Sequence, residues 1–190
     1  MAGVSRILSG RPAPNFVMYY PLFLDLEGQS VVVIGAGSVA TRKTRTLLGA
    51  GADVTVISPK ASAVIQRLSR AKRVRWICRT YRRGDLIHAR LVIAATDDLT
   101  VNQCVCAEAK RRRLLANCAA PPSAGNFMVP SQIRHSGISV AISTGGASPS
   151  FAKRLRRDLE RFLSRGYPQL LKRMRAARQR GRVSRSKKSP

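Results

Sequence analysis

The sequence predicts an α/β fold: a Rossmann-like, doubly wound parallel sheet followed by a small element of strands and helix and a C-terminal helical, basic tail. Three observations predict it. Between residues 30 and 119, apolar runs rich in β-branched residues alternate with stretches of helical periodicity, the pattern of strands that return through helices to one parallel sheet. The first run, Val31-Val32-Val33-Ile34, ends in Gly35-Ala36-Gly37-Ser38-Val39-Ala40, so a strand meets a tight turn and then a helix without a linker. Past Pro121-Pro122 the alternation stops, and two strand-like runs and one long amphipathic helix replace it.

Residues 1–17 hold arginines, glycines and prolines but no acid, and they lack the apolar core of a secretory signal. A disordered extension is expected there, with a transit segment or a start at Met18 as the other readings. A nucleotide-binding domain is expected over 18–130. Tyr20-Pro21-Leu22-Phe23-Leu24-Asp25-Leu26 leads through a turn at Glu27-Gly28 into the first strand. After the glycine turn, Val39, Ala40, Leu47 and Leu48 are spaced for a helix, and residues 53–58 read as the second strand. This is the dinucleotide fingerprint with alanine at its third small position. Gly35 makes the turn, Gly37 lets backbone approach a pyrophosphate, and Ala40 allows close helix–sheet contact. The anion would rest on the amides that open the helix. The second strand ends Ile57-Ser58-Pro59-Lys60, with no carboxylate for a ribose, so local chemistry leaves NAD and NADP both open.

A helix is expected over 61–69, a strand over 73–79, and a fully buried strand over 91–95 that ends in Thr96-Asp97-Asp98. A helix over 100–113 and a strand over 114–119 complete the sheet. Ligands of such sheets lie beyond the carboxyl ends of the strands, which sends residues 35–39, 58–60, 96–98 and 117–120 to one crevice. Asp97 and Asp98 read equally well as caps of the helix that follows.

Beyond the prolines, residues 127–130 and 138–143 are strand-like, and Thr144-Gly145-Gly146 leads to Ser148-Pro149, an N-cap followed by proline in the first turn. Phe151, Leu155, Leu159, Phe162 and Leu163 form an apolar stripe. Residues 131–177, with a further helix over 169–177, therefore read as a dimerisation element, and a homodimer is expected. Residues 178–190 are too polar to fold alone and read as a disordered basic tail.

The net charge is +26, and residues 151–190 hold 15 Lys or Arg against two acids. Such a tail can bind nucleic acid non-specifically, but no base-reading motif accompanies it, and aromatics make up 5% of the chain. The four cysteines show no metal-ligand spacing, and free thiols in a reducing, cytoplasmic setting are expected. His88 and His135 fall in surface connections. No apolar run reaches the length of a membrane span.

Taken together, Tyr20-Pro21-Leu22-Phe23-Leu24-Asp25-Leu26, Gly35 to Lys43, Ala94 to Asp98 with Val101-Asn102, Asn117, Phe127 to Ser131 and Ser143 to Pro149 closely resemble the precorrin-2 dehydrogenase/sirohydrochlorin ferrochelatase domain of siroheme synthases. The resemblance runs in unbroken order over about residues 19–163. It implies an NAD-dependent, dimeric enzyme that oxidises precorrin-2 to sirohydrochlorin, with ferrous iron as a chelatase substrate in many members. Carried over residue by residue, it implies that Gly35, Gly37, Ser38 and Val39 hold the phosphates. Pro59 and Lys60 would follow the second strand as cofactor contacts, and Thr96 and Asp97 would form the crevice loop. Asn117, Ser143 and Thr144 would face the tetrapyrrole. Lys43, Arg42 and Arg134 would form a basic rim for a polycarboxylate substrate. One position departs from the pattern: the family's stretch resembling NVxDxP reads Asn117-Cys118-Ala119-Ala120-Pro121 here, so Ala120 stands where an aspartate is implicated in both reactions. That departure leaves a non-catalytic NAD or tetrapyrrole binding module as the alternative, with Asp97 the nearby carboxylate nominated as a substitute.

Overall fold

The computed structural model describes residues 19–164 except Ser136, together with Tyr167, Gln169 and Arg173. The extension expected over 1–17 and the tail over 178–190 lie outside the described residues, as does most of the helix expected over 169–177. The chain divides into two compact units, Pro21–Val129 and the residues from Pro130 onward with Tyr19 and Tyr20.

The first unit is built on five parallel strands, β1 (Ser30–Ile34), β2 (Asp53–Ile57), β3 (Arg75–Ile77), β4 (Leu91–Ala94) and β5 (Leu115–Cys118), in the order β3-β2-β1-β4-β5. Helices α1 (Ser38–Leu48) and α2 (Ala63–Arg70) cover one face and α3 (Leu99–Arg111) covers the other. Period-two alternation divides the core accordingly. Val31, Val33, Val54, Val56 and Ile93 pack with Leu47 and Ile65, while Val32, Ile34, Val92 and Ala94 pack with Val105 and Ala109. Because both faces are covered, the central strands β1 from Val31 and β4 are continuously apolar rather than alternating. Each large side chain fully buried this way contributes about 1.5–3 kcal/mol.

The register brings the strand ends level. Ile34 pairs with Ile57 and Ala94, and Ala94 with Cys118. The chain stays hydrogen-bonded one residue beyond: the Gly35 amide donates to the Ile57 carbonyl (2.9 Å), that of Ala95 to Ile34 (2.8 Å) and that of Ala119 to Ala94 (2.8 Å). The connections that follow β1, β4 and β5 therefore emerge along one edge, where the chain order reverses between β1 and β4.

Away from that edge, Glu108 of α3 is buried and braces the segment after β3. Its carboxylate accepts from Tyr81 Oη, the Gly84 amide and Arg112 Nε. Burial alone would raise its pKa, but those donors outweigh it and hold the carboxyl below its ordinary value. The Arg79 guanidinium, bonded to both Asp85 oxygens, lowers that carboxyl too.

In the second unit, β6 (Ser131–His135) pairs antiparallel with β7 (Ile138–Ile142), and α4 (Pro149–Ser164) packs on the hairpin. Ile133, Ile142 and Ala152 form its buried centre, with Val140, Leu155, Leu159 and Leu163 around them. Three of the five stripe residues are thus used within the unit, while Phe151 and Phe162 stay more than half exposed. Ser148 caps α4 as expected, its Oγ accepting from the Phe151 amide at 3.2 Å.

One expected strand is not there. Residues 127–130 are irregular and the first hairpin strand begins at Ser131. Phe127 packs against the core, and its carbonyl accepts from the Asn117 side chain, so neither its side chain nor its backbone is left for a ladder. Pro130 in turn has no N–H to give one.

Candidate functional site

The glycine turn is shaped by sterics at Gly35 and by openness at Gly37. Gly35 has φ +101°, and a Cβ there would lie 2.3 Å from the Ala95 carbonyl oxygen, so the close approach of β1 to the end of β4 requires glycine. Gly37 is the opposite case. Its backbone is extended at φ −72°, and a Cβ would meet nothing within 4 Å. Gly37 caps α1 without a side-chain hydrogen bond, and the first turn of α1 holds no acid. The opening amides of α1, around Ser38 and Val39, are thus presented to open space with the positive end of the helix dipole behind them. An anionic diphosphate fits that cradle.

The neighbouring segments are tied to the turn. The Ser62 amide donates to the Ala36 carbonyl at 3.2 Å, and the Ser62 and Thr41 hydroxyls are bonded at 2.8 Å. Trp76 Nε1 donates to the Ser58 carbonyl, Cys78 Sγ to that of Pro59, and Ser58 Oγ to that of Lys60. Pro59 and Lys60 are exposed on a backbone held from both sides.

On the other flank, Thr96 and Asp97 follow β4. Asp97 is exposed, whereas Asp98 caps α3, its Oδ1 accepting from the amides of Thr100 (2.8 Å) and Val101 (3.1 Å). The residue that holds this flank together was not marked for any role by the sequence: Asn102, fully buried in α3. Its Oδ1 accepts from the Thr96 amide (3.0 Å) and hydroxyl (2.8 Å), and its Nδ2 donates to the carbonyls of Thr96 (3.0 Å) and Ala120 (3.2 Å). One side chain therefore sets the position of the β4 loop relative to the β5 loop. The signal was a polar residue on the same helical stripe as Val105, Cys106 and Ala109.

Asn117 of β5 is also buried, and its amide is engaged at both ends. Lys43 Nζ donates to Oδ1 at 2.7 Å, and Nδ2 donates to the Phe127 carbonyl at 3.0 Å. Burial, and then the charge of Arg42, lower the Lys43 pKa from its ordinary value.

The structure thus gathers Gly35, Gly37, Ser38, Val39, Pro59, Lys60, Thr96, Asp97, Asn117 and Ala120 in the first unit, on connections, strand ends or the first turn of α1 along the carboxyl edge. Ser143 and Thr144 belong to the second. There the Thr144 hydroxyl donates to the Ser148 carbonyl and accepts from its amide, and Ser143 Oγ accepts from the Gly145 amide. Both hydroxyls take part in shaping the turn into α4. Arg134 lies on β6 in the same unit. Among the described residues no three His, Cys, Asp or Glu side chains gather as a metal site, the four cysteines are free thiols, and no helix is long and apolar enough to cross a membrane. Cys106 and Cys118 are buried, and burial, followed by the neighbouring Cys118, pushes the Cys106 thiol up to about 12.

Known proteins are similar to this chain in sequence and in fold. Residues 22–131 match the family described as "Putative NAD(P)-binding", and residues 136–161 match "Sirohaem biosynthesis protein central". The precorrin-2 dehydrogenase of Bacillus subtilis (strain 168) is 34% identical over 143 residues, covering 75% of this chain and 88% of that protein. Siroheme synthase 1 of Serratia proteamaculans (strain 568) is 39% identical over 145 residues, covering 76% of this chain but 30% of the relative. The siroheme synthase of Methylococcus capsulatus is 42% identical over 142 residues, again 30% of the relative, so the chain spans about a third of the length of the siroheme synthases it matches. The solved structure of SirC, a precorrin-2 dehydrogenase, superposes with a TM-score of 0.72 at 36% identity, covering 81% of this chain and 76% of that one. With the glycine turn, the level strand ends and matches over both units, the chain belongs to the family of precorrin-2 dehydrogenases and of the corresponding part of siroheme synthases.

Proposed function

We propose that the chain is an NAD-dependent dehydrogenase that oxidises precorrin-2 to sirohydrochlorin in siroheme biosynthesis. The observation that carries this reading is the uncapped, acid-free start of α1 beneath Gly37, a site prepared for a diphosphate in a chain of this family. Gly35, Gly37, Ser38 and Val39 would hold the phosphates, and Pro59, Lys60, Thr96 and Asp97 would border the rest of the dinucleotide. When bound, the nicotinamide supplies the hydride acceptor. The protein's part is orientation. Asn102 keeps the Thr96 loop and the Ala120 main chain in one arrangement, so the two surfaces that would flank the reacting atoms do not drift. Asn117, Ser143 and Thr144 would contribute to the tetrapyrrole side. NAD should be preferred over NADP, because the contacts expected around Gly35 to Val39 are backbone and neutral groups, with Lys60 after β2 the counterweight that a 2′-phosphate would use.

The side chain at 120 cannot accept a proton, which favours one second reading, a cofactor- and tetrapyrrole-binding module without turnover. Ferrous iron would be met as a substrate, and its insertion, which needs two pyrrole protons removed, would suffer most. A homodimer through α4, with exposed Phe151 and Phe162 as contacts, and a cytoplasmic setting suited to four free thiols complete the proposal. The test is NADH formation from purified protein, precorrin-2 and NAD, with Ala120→Asp alongside. Turnover by the wild type supports the dehydrogenase. An inactive wild type beside an active Ala120→Asp means a site complete but for its proton acceptor, and inactivity of both means a binding module.

A further inference from the structure

We propose that Lys43 is a substrate-binding residue, its ammonium presented beside the end of β5 by Asn117 to take a carboxylate of the tetrapyrrole. The inference rests on the dehydrogenase reading and assigns the group that meets the substrate's charge.

Placement is the first argument. Lys43 lies on the stripe of α1 that carries Ala40, Thr44 and Leu47, all buried against the sheet, whereas the neighbouring cations Arg42 and Arg45 are exposed. Its stem is directed inward, and its Nζ reaches Asn117, 74 residues away in sequence. The second argument is charge. All nine acidic residues of the chain are described, and the ion pairs they form among the described residues are Arg79–Asp85, Arg112–Glu108, Arg156–Glu160 and Arg161–Asp158. None includes Lys43, whose bonded partner is a neutral amide. A partly buried ammonium held by a neutral acceptor keeps two N–H donors and its whole charge for a further acceptor. The lowering of its pKa by burial and Arg42 agrees, since an arriving anion would offset both effects. The third argument is commitment of the neighbour. The Asn117 amide, fixed between Lys43 and Phe127, acts as the holder, and the cation it holds is the group with strength to spare.

The cofactor's diphosphate is the other anion at hand, but it belongs over the β1–α1 turn, whereas Lys43 is bonded to β5, with β4 lying between β1 and β5. Lys43→Gln keeps a hydrogen-bond donor and removes the charge, and Lys43→Arg keeps the charge. Steady-state kinetics on precorrin-2, NAD titrations and thermal melts of the three proteins separate the possibilities. The expected result is a KM for precorrin-2 raised about 10- to 100-fold in Lys43→Gln, the loss of one charge-assisted contact, with NAD affinity and melting close to wild type and most of the KM recovered in Lys43→Arg. An unchanged KM in Lys43→Gln overturns the inference, as does weaker NAD binding with KM unchanged. Should the wild type produce no NADH, the dehydrogenase reading fails by itself, and absorbance titration with sirohydrochlorin tests Lys43 directly: weaker binding by Lys43→Gln sustains it, and equal binding or none by the wild type overturns it.

Discussion

Gly37→Asp should make the protein more stable and unable to bind NAD, two effects of opposite sign from one carboxylate. Position 37 has room, because a Cβ there meets no atom within 4 Å, and its φ of −72° suits any residue. It is also the N-cap of a helix without a side-chain cap or an acid in its first turn. Aspartate caps better than glycine by a few tenths of a kcal/mol, and its charge at the helix start adds about 0.3–1 kcal/mol. For a chain of this size the sum is a rise in melting temperature of roughly 2–4 °C. The same carboxylate would occupy the amides proposed for the pyrophosphate and would repel it. Loss of two charge-assisted hydrogen bonds alone is about 3 kcal/mol or more, a weakening of at least ~100-fold. Gly35→Ala is the counterpart. There φ is +101° and the new methyl would lie 2.3 Å from the Ala95 carbonyl oxygen, so that variant should lose about 2 kcal/mol or more of stability. Thermal melts read the first effect. NAD titration can use the single tryptophan, Trp76, which is bonded to the Ser58 carbonyl beside Pro59 and Lys60. A Gly37→Asp protein that melts below wild type, or binds NAD within tenfold of it, would refute the reasoning.

Asn102→Ala strands the part-buried Thr96 amide and carbonyl, and should cost about 2–4 kcal/mol in denaturant unfolding while weakening NAD as well; unaltered NAD binding in the folded variant would separate the loop from the cofactor. Thr44→Val should be neutral or stabilising by up to about 1 kcal/mol in the same assay, because the Thr44 hydroxyl is buried without a partner. Asp85 and Glu108 both have folded pKa values below the ordinary 3.8 and 4.5, so their stabilisation is complete above those values and is lost as pH falls through the lower folded ones. Unfolding midpoints should therefore drop from about pH 4.5 downward, and Glu108→Gln should flatten that dependence.

The sheet was legible because a parallel strand covered on both faces has to be apolar throughout, and Val31 to Ile34 and Leu91 to Ala94 meet that demand without relying on any distant residue. The glycine turn was legible for a similar reason: the demand at Gly35 is local, a positive φ and a carbonyl too near for a Cβ. Residues 127–130 misled because their apolar character serves another purpose. Phe127 is held on the core by Asn117, and the ladder begins only after Pro130. What could not be read was contact between elements. Lys43 with Asn117 and Asn102 with Ala120 depend on how α1 and α3 lie across the sheet, and no local pattern states that.

Ala120 joins the two kinds of information. The resemblance to the family implies a carboxylate where this sequence has Ala120; the structure shows what surrounds the position. The Ala120 carbonyl accepts from Asn102 Nδ2 and from Cys118 Sγ, and the same Asn102 holds Thr96. These bonds are made by main chain at residue 120, so they do not depend on which side chain it carries. If an aspartate is the family's residue here, its replacement by alanine removes a proton acceptor and leaves the backbone that would present it. A side chain restored at 120 would enter a loop already held next to the β4 connection, which is why Ala120→Asp is expected to change rate with little change in fold. If the acid acts as a general base, the gain should be about 10²–10⁴-fold in turnover, with KM for precorrin-2 little altered because Lys43, not residue 120, would meet the substrate's charge.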